Sequence, residues 1–201
     1  LTEPRLRGLF GEVWFLAERL LPRTAPHNQV AAIAAWTGPL GARRDFNLGE
    51  ASLDMKTGVP GTTTVQISSI QQLSLASGTR LYLGHLTLRR DPAGQTLPEL
   101  IDQLRSMLGA EARDLLDARL LGAGYIDADR DQSPLADLRL IAESFDTYAI
   151  APGFPALTPE TLPPAIVACS YTLDLSTCGA FRVDPGHIPG IGETHRSLHE
   201  Q

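Results

Sequence analysis

The sequence predicts an α/β protein, more specifically an α+β arrangement around a mixed sheet, and three observations lead there. Apolar residues recur at helical spacing over residues 6–21. Four strand-like runs follow between residues 43 and 88, punctuated by glycine and proline. Two more helical patterns and three further strand-like runs occupy the chain from residue 98 onward.

Each element has its own signal. Leu6, Leu9, Phe10, Val13, Leu16, Ala17 and Leu20 form one stripe of the first helix. Thr2 can cap it, Pro4 suits its first turn and Pro22 ends it. On the helical wheel Glu12 falls at the edge of that stripe, beside Leu16. A short helix over 28–35, capped by Asn28, comes next. Strands are expected over 43–48, 51–57 and 62–68, with Gly49-Glu50 as the turn between the first two. Ser69 and Gln72 form an S-x-x-Q capping box, which predicts a helix over 69–75. A fourth strand over 80–88 closes the segment, giving helix, three strands, helix, strand. Residues 91–96 read as a polar hinge. Helices over 98–108 and 110–121 make a hairpin, followed by strands over 138–150, 165–175 and 180–183. From residue 185 glycines, prolines and charges predict a poorly ordered tail.

Composition narrows the class. Of 201 residues 43% are hydrophobic and 20% charged, ordinary for a globular chain. The longest apolar run, residues 30–36, is too short to span a bilayer. No charged-then-apolar leader opens the chain, so no membrane association and a cytoplasmic location are expected. The chain begins at Leu1 without an initiator methionine, as an excised domain would. Cys169 and Cys178 are too few for a disulfide scaffold; Cys169 reads as a buried thiol in an alternating strand, with a bridge between the two the minor alternative. The net charge of −6 does not advertise a nucleic-acid partner, but binding depends on where basic groups sit.

One compositional detail points to chemistry. Of the 17 basic residues all but Lys56 are arginine. Lysine is a compact charge whose pKa moves readily, whereas guanidinium is planar and always protonated. Lys56 is therefore a candidate for a task that arginine does badly. On an expected strand, Asp54 and Lys56 face one side while Leu53 and Met55 face the other. Antiparallel pairing through Gly49-Glu50 brings Asp45 toward both. Two carboxylates on a rigid frame, with a cation near a bound water, are the minimal set by which a protein holds Mg²⁺ for hydrolysis. Glu12 could add a third acid.

An acid two positions before a given lysine occurs by chance about once in nine, since 23 of 201 residues are acidic. The wider pattern is more specific. Gly8-Leu9-Phe10-Gly11-Glu12, Trp36-Thr37-Gly38-Pro39, Asp45-Phe46, Asp54-Met55-Lys56 and Ile70-Gln71-Gln72-Leu73 together resemble the PD-(D/E)XK nuclease superfamily, in its bacterial branch of PD-(D/E)XK motif proteins. The resemblance covers residues 5–88 well and the remainder weakly. It implies a restriction-endonuclease-like α-β-β-β-α-β core over residues 1–90 and a C-terminal α+β extension over 91–201, a helical hairpin plus strands packed on the core. It implies Asp45 and Asp54 as metal ligands, Lys56 as the group that orients or activates water, Glu12 as accessory acid and metal ligand, and Gln72 as a helper. The implied cofactor is Mg²⁺, with Mn²⁺ able to substitute. The implied activity is cleavage of DNA phosphodiester bonds in restriction or antiviral defence, with DNA, other defence proteins and a second copy of the chain as partners.

Two departures from the pattern stand out. Arg44 precedes Asp45 where the motif's name has proline, and the second acid is Asp54 where the branch more often has glutamate. Two alternatives therefore stay open: an inactive nuclease-fold module that binds DNA or assembles a complex, and a nuclease directed at RNA. Arg43, Arg44, Arg80, Arg89 and Arg90 are candidates to follow phosphates, or ordinary surface arginines. The remaining motifs read as structural. His195 and His199 lie in the tail without a matching acid, His85 sits within a strand, and residues 121–124 lack the strand and lysine of a phosphate loop. Asp127, Asp129 and Asp131 lack the glycine and glutamate of a calcium loop.

Overall fold

A computed structural model of the chain describes residues 1–75, 78–163 and 165–189. The apolar stripe of α1 (Glu3–Phe15) continues through a π-helical turn, Leu16–Leu20, before Pro22 ends it. Thr2 occupies the N-cap position without a side-chain bond. A short α2 (Gln29–Ala34) follows, and β1 keeps only Phe46–Asn47 of the expected first strand, with residues 43–45 bent so that Asp45 stands just before it. Then come β2 (Ala51–Gly58), β3 (Thr64–Ile67), β4 (Arg80–Gln95), α3 (Leu97–Ser106), α4 (Ala110–Gly122), β5 (Leu140–Ile150), β6 (Tyr171–Asp174) and β7 (Arg182–Val183).

The main sheet has the order β1-β2-β4-β5-β7, with β2 and β4 parallel and the other pairs antiparallel. This five-stranded mixed sheet with helices is a restriction-endonuclease-like α+β fold. Strand alternation divides the side chains as the sequence anticipates. Leu53 and Met55 join Leu6, Phe10, Leu86, Leu100 and Leu116 in the core beneath the helices. On the other face Leu81, Leu83, Tyr148 and Ile150 pack under a second sheet formed by β3 and β6.

Several expected elements are overturned. The third strand does not join the main sheet, because Val65 and Ile67 find their partners in Leu173 and Tyr171 of β6. The helix expected over 69–75 does not form; residues 70–73 are turns. Arg44 explains this physically, since its guanidinium donates to the carbonyls of Gln71 at 2.9 Å and Ser74 at 2.8 Å. Those tertiary bonds replace the intrahelical ones in a segment too short to hold a helix by itself. The polar hinge over 91–96 is instead the end of β4, where residues between Arg90 and Gln95 bulge and both of those flank Leu140. The expected strand over 165–175 shrinks to Tyr171–Asp174, which leaves Cys169 half-buried and Cys178 buried, both as free thiols. The start of the expected tail is ordered instead, with a 3-10 turn over Pro185–His187 and Ile188 buried in the core at 1% exposure, while residues from 190 on, with His195 and His199, lie outside the described residues. Among the described residues no helix is long and apolar enough to cross a membrane.

Candidate active site

Asp45, Asp54 and Lys56 meet where β1 and β2 pair. The register Phe46↔Leu53 sets Asp45 beside Asp54 at the end of the hairpin. The Asp45 main chain is gripped from residues 37 and 38, whose N–H groups donate to its carbonyl at 2.7 and 3.0 Å. Its side chain is held too, with Oδ2 accepting from the Met55 N–H at 2.6 Å. Asp54 is 1% exposed, and its Oδ2 lies 3.0 Å from Lys56 Nζ. The pair shares a strand face, as their i, i+2 spacing requires. Beyond that contact Oδ2 has no hydrogen-bond partner, which leaves a buried acceptor open for a ligand.

Glu12 arrives from α1. Its Oε2 accepts a 2.6 Å hydrogen bond from the indole of Trp36, which is fully buried. A buried indole N–H must find an acceptor, so the bond orients the carboxylate as well as satisfying the tryptophan. Gly38 stands between the acids: a Cβ there would lie 3.1 Å from both Glu12 Oε2 and Asp45 Oδ1. Gln72 completes the cluster despite the missing helix. Its Oε1 accepts from the Ser68 N–H at 2.8 Å, and its Nε2 reaches Asp54 Oδ1 at 3.4 Å.

Electrostatics make the cluster costly without a cation. Burial, then the charge of Asp45, pushes Glu12 up to about 8, against a smaller downward pull from the Trp36 bond. Burial, then the charge of Asp54, pushes Asp45 up to about 7, with the Met55 N–H pulling the other way. Burial also raises Asp54, and Lys56 offsets part of that. Crowded acids that resist ionisation are a frequent property of functional sites.

A stability prediction follows. Glu12 and Asp45 hold protons more tightly when folded, at about 8 and 7, than at their ordinary 4.5 and 3.8. As pH rises above about 4 the unfolded chain releases these protons first, so stability is lost progressively until about pH 8. Glu99 and Asp127, held low mainly by the Thr96 N–H and by Arg105 respectively, act in the opposite sense below that window. The melting temperature in EDTA is therefore expected to fall by several degrees between pH 5 and 8.5. A flat or rising melting temperature across that range would contradict the crowding of these acids.

The arginines considered as phosphate followers divide. Arg44 is spent inward on the 71–74 turn, Arg80 pairs with Glu50 at 2.8 Å, and Arg89 pairs with Asp91 and Glu143. Among the described residues Arg43 and Arg90 make no ion pair. His85, 5% exposed, is buried beside Gly58 and pushed down by that burial. Residues 121–124 are the C-terminal cap of α4, with the Tyr125 and Gly124 N–H groups closing onto Leu120 and Leu121. Asp127 binds Arg105 at 2.6 Å. Two contributors carried no role in the sequence: Trp36, whose buried N–H needed an acceptor, and Gly38, whose missing side chain leaves room between two carboxylates.

Over residues 1–176 the chain matches a family described as "Putative PD-(D/E)XK family member" (DUF4420). The chain belongs to this PD-(D/E)XK family. Its fold is accordingly nuclease-like. No curated protein and no solved structure matches the chain. Among the described residues no three His, Cys, Asp or Glu side chains form a ready-made metal cluster. The donor set fits: oxygen ligands only, crowded enough to welcome a dication, with an open acceptor on Asp54.

Proposed function

We propose that the chain is a metal-dependent endonuclease that hydrolyses DNA phosphodiester bonds. The observation carrying this reading is the Asp54–Lys56 contact of 3.0 Å on β2, set beside the raised acids Asp45 and Glu12 in a PD-(D/E)XK chain. Asp45 and Asp54 would hold Mg²⁺, or Mn²⁺ in its place, with Glu12 as an accessory acid or as support for a second ion. The bound metal supplies Lewis acidity and a water of lowered pKa. Lys56, held 3.0 Å from Asp54 on the same strand face, would orient the attacking water toward phosphorus. Trp36 keeps Glu12 from swinging away, Gln72 steadies Asp54, and the Met55 N–H fixes Asp45. A place in restriction or antiviral defence follows from the family resemblance, and cutting both strands would call for a second copy or two successive events.

The test is cleavage of supercoiled plasmid and of a matched RNA by the folded chain with magnesium, manganese or EDTA. Nicking that requires metal is the expected result, with DNA favoured. Absence of cutting of either substrate under both metals would move the chain to a DNA-binding or assembly module. RNA cut in preference to DNA would redirect the substrate and keep the chemistry.

A further inference from the structure

We propose that the cleft beside the carboxylates is the track by which a nucleic-acid strand reaches them, with its phosphodiester backbone lying over the Gly8 turn of α1 and Arg5 on a neighbouring phosphate. This rests on the nuclease reading and adds the side from which substrate enters. The cleft holds about 520 Å³, and Glu12 and Asp45 lie in its lining. Arg5 and Gly8 of α1 form one wall, and Pro39 with the α4 cap forms another.

The placement of Gly8 carries the inference. Arg5, Gly8 and Glu12 fall at i, i+3 and i+7, so they line one face of α1. A glycine inside a helix weakens that helix relative to alanine. The second glycine of α1 has a packing reason, since a Cβ at Gly11 would sit 2.5 Å from Thr57 Cγ2. Gly8 has none: nothing lies within 4 Å of the point where its Cβ would be. The space left by the missing side chain belongs to the cleft. It lets a ligand approach the helix backbone on the way to Glu12.

Charge sets which wall meets the phosphate. Arg5 is exposed, lies in the first turns of α1, and makes no ion pair among the described residues. The partial positive charge of a helix N-terminus favours an anion on that side. The opposite wall is the C-terminal end of α4, where the dipole is negative and the last N–H groups are already used in the cap. Phosphates therefore follow α1, and sugars or bases face Pro39 and the α4 cap.

Binding separates this proposal from the chemistry. The probe is a short fluorescein-labelled DNA oligonucleotide, with an RNA counterpart as a second arm, followed by anisotropy with the full chain and calcium. Gly8→Leu is expected to melt no lower than the unchanged protein yet bind about tenfold more weakly, with Gly8→Ala between them. Arg5→Glu is expected to weaken binding about tenfold and flatten its salt dependence, whereas Arg23→Glu, an exposed charge reversal elsewhere, changes it less than about twofold. Unweakened binding by both Gly8→Leu and Arg5→Glu, in a protein whose unchanged form binds and cuts, overturns the track and leaves the nuclease standing. Failure of the unchanged chain to bind or cut either oligonucleotide overturns both.

Discussion

Lys56→Ala is expected to slow metal-dependent plasmid nicking by roughly 10²–10⁴-fold, the range for losing a group positioned to handle a proton. Lys56→Arg is expected to recover little of that rate. Guanidinium spreads its charge over a planar fork and does not give up a proton, so it cannot stand in for a compact amine at a water. The metal should still bind, because Asp45 and Asp54 remain. Calorimetric titration with magnesium should therefore give an affinity within a few-fold of the unchanged protein. Removing Lys56 also leaves Asp54 buried at 1% exposure without its 3.0 Å partner. The variant should consequently melt lower in EDTA at pH 8 and regain part of the loss when magnesium is added. Single-turnover nicking at an unchanged rate in Lys56→Ala would remove the lysine from the chemistry.

Asp45→Asn should show the opposite balance of stability and activity. At pH 8 the Asp45 carboxylate, pushed up to about 7 by burial and by Asp54, is ionised at a cost. Asparagine keeps an oxygen to accept the 2.6 Å bond from the Met55 N–H while removing the charge that repels Asp54 and Glu12. The metal-free variant should melt higher by about 2–4 °C, equivalent to about 1 kcal/mol at this chain length. Its stabilisation by magnesium should vanish, and its cleavage rate should fall by roughly 10³-fold or more as the metal's charge stabilisation is lost. A protein that gains stability by losing its reaction is what strain concentrated in a working site looks like. A lower melting temperature in EDTA, with magnesium binding intact, would show that Asp45 serves the fold instead.

Much of this arrangement was legible in local pattern. The stripe of α1 and the alternation of β2 are periodic features, and periodicity reports which face a side chain takes. That is why Glu12 could be placed at a stripe edge and Asp54 and Lys56 on one strand face. The helix over 69–75 was legible too, and wrong. The capping box did not form: the Gln72 side chain takes its 2.8 Å bond from the Ser68 N–H, one residue before the expected cap at Ser69. Arg44 decided the matter from 27 and 30 residues away. The same reach lies behind β3, whose alternation was correct while its partner, β6, is more than 100 residues further on.

What the sequence by itself determined is thus the set of elements that obey short-range rules, together with the D…D-x-K spacing on one hairpin and its lone lysine. Only the tertiary structure decided that Trp36 would hold Glu12, that Gly38 would leave space between two acids, and that Gln72 would reach Asp54 from a turn. It also decided that a helix-interior glycine would open onto a cleft. The physical reason is that backbone geometry repeats over two to four residues, whereas burial, desolvation and hydrogen-bond satisfaction depend on which distant segments arrive at the same place.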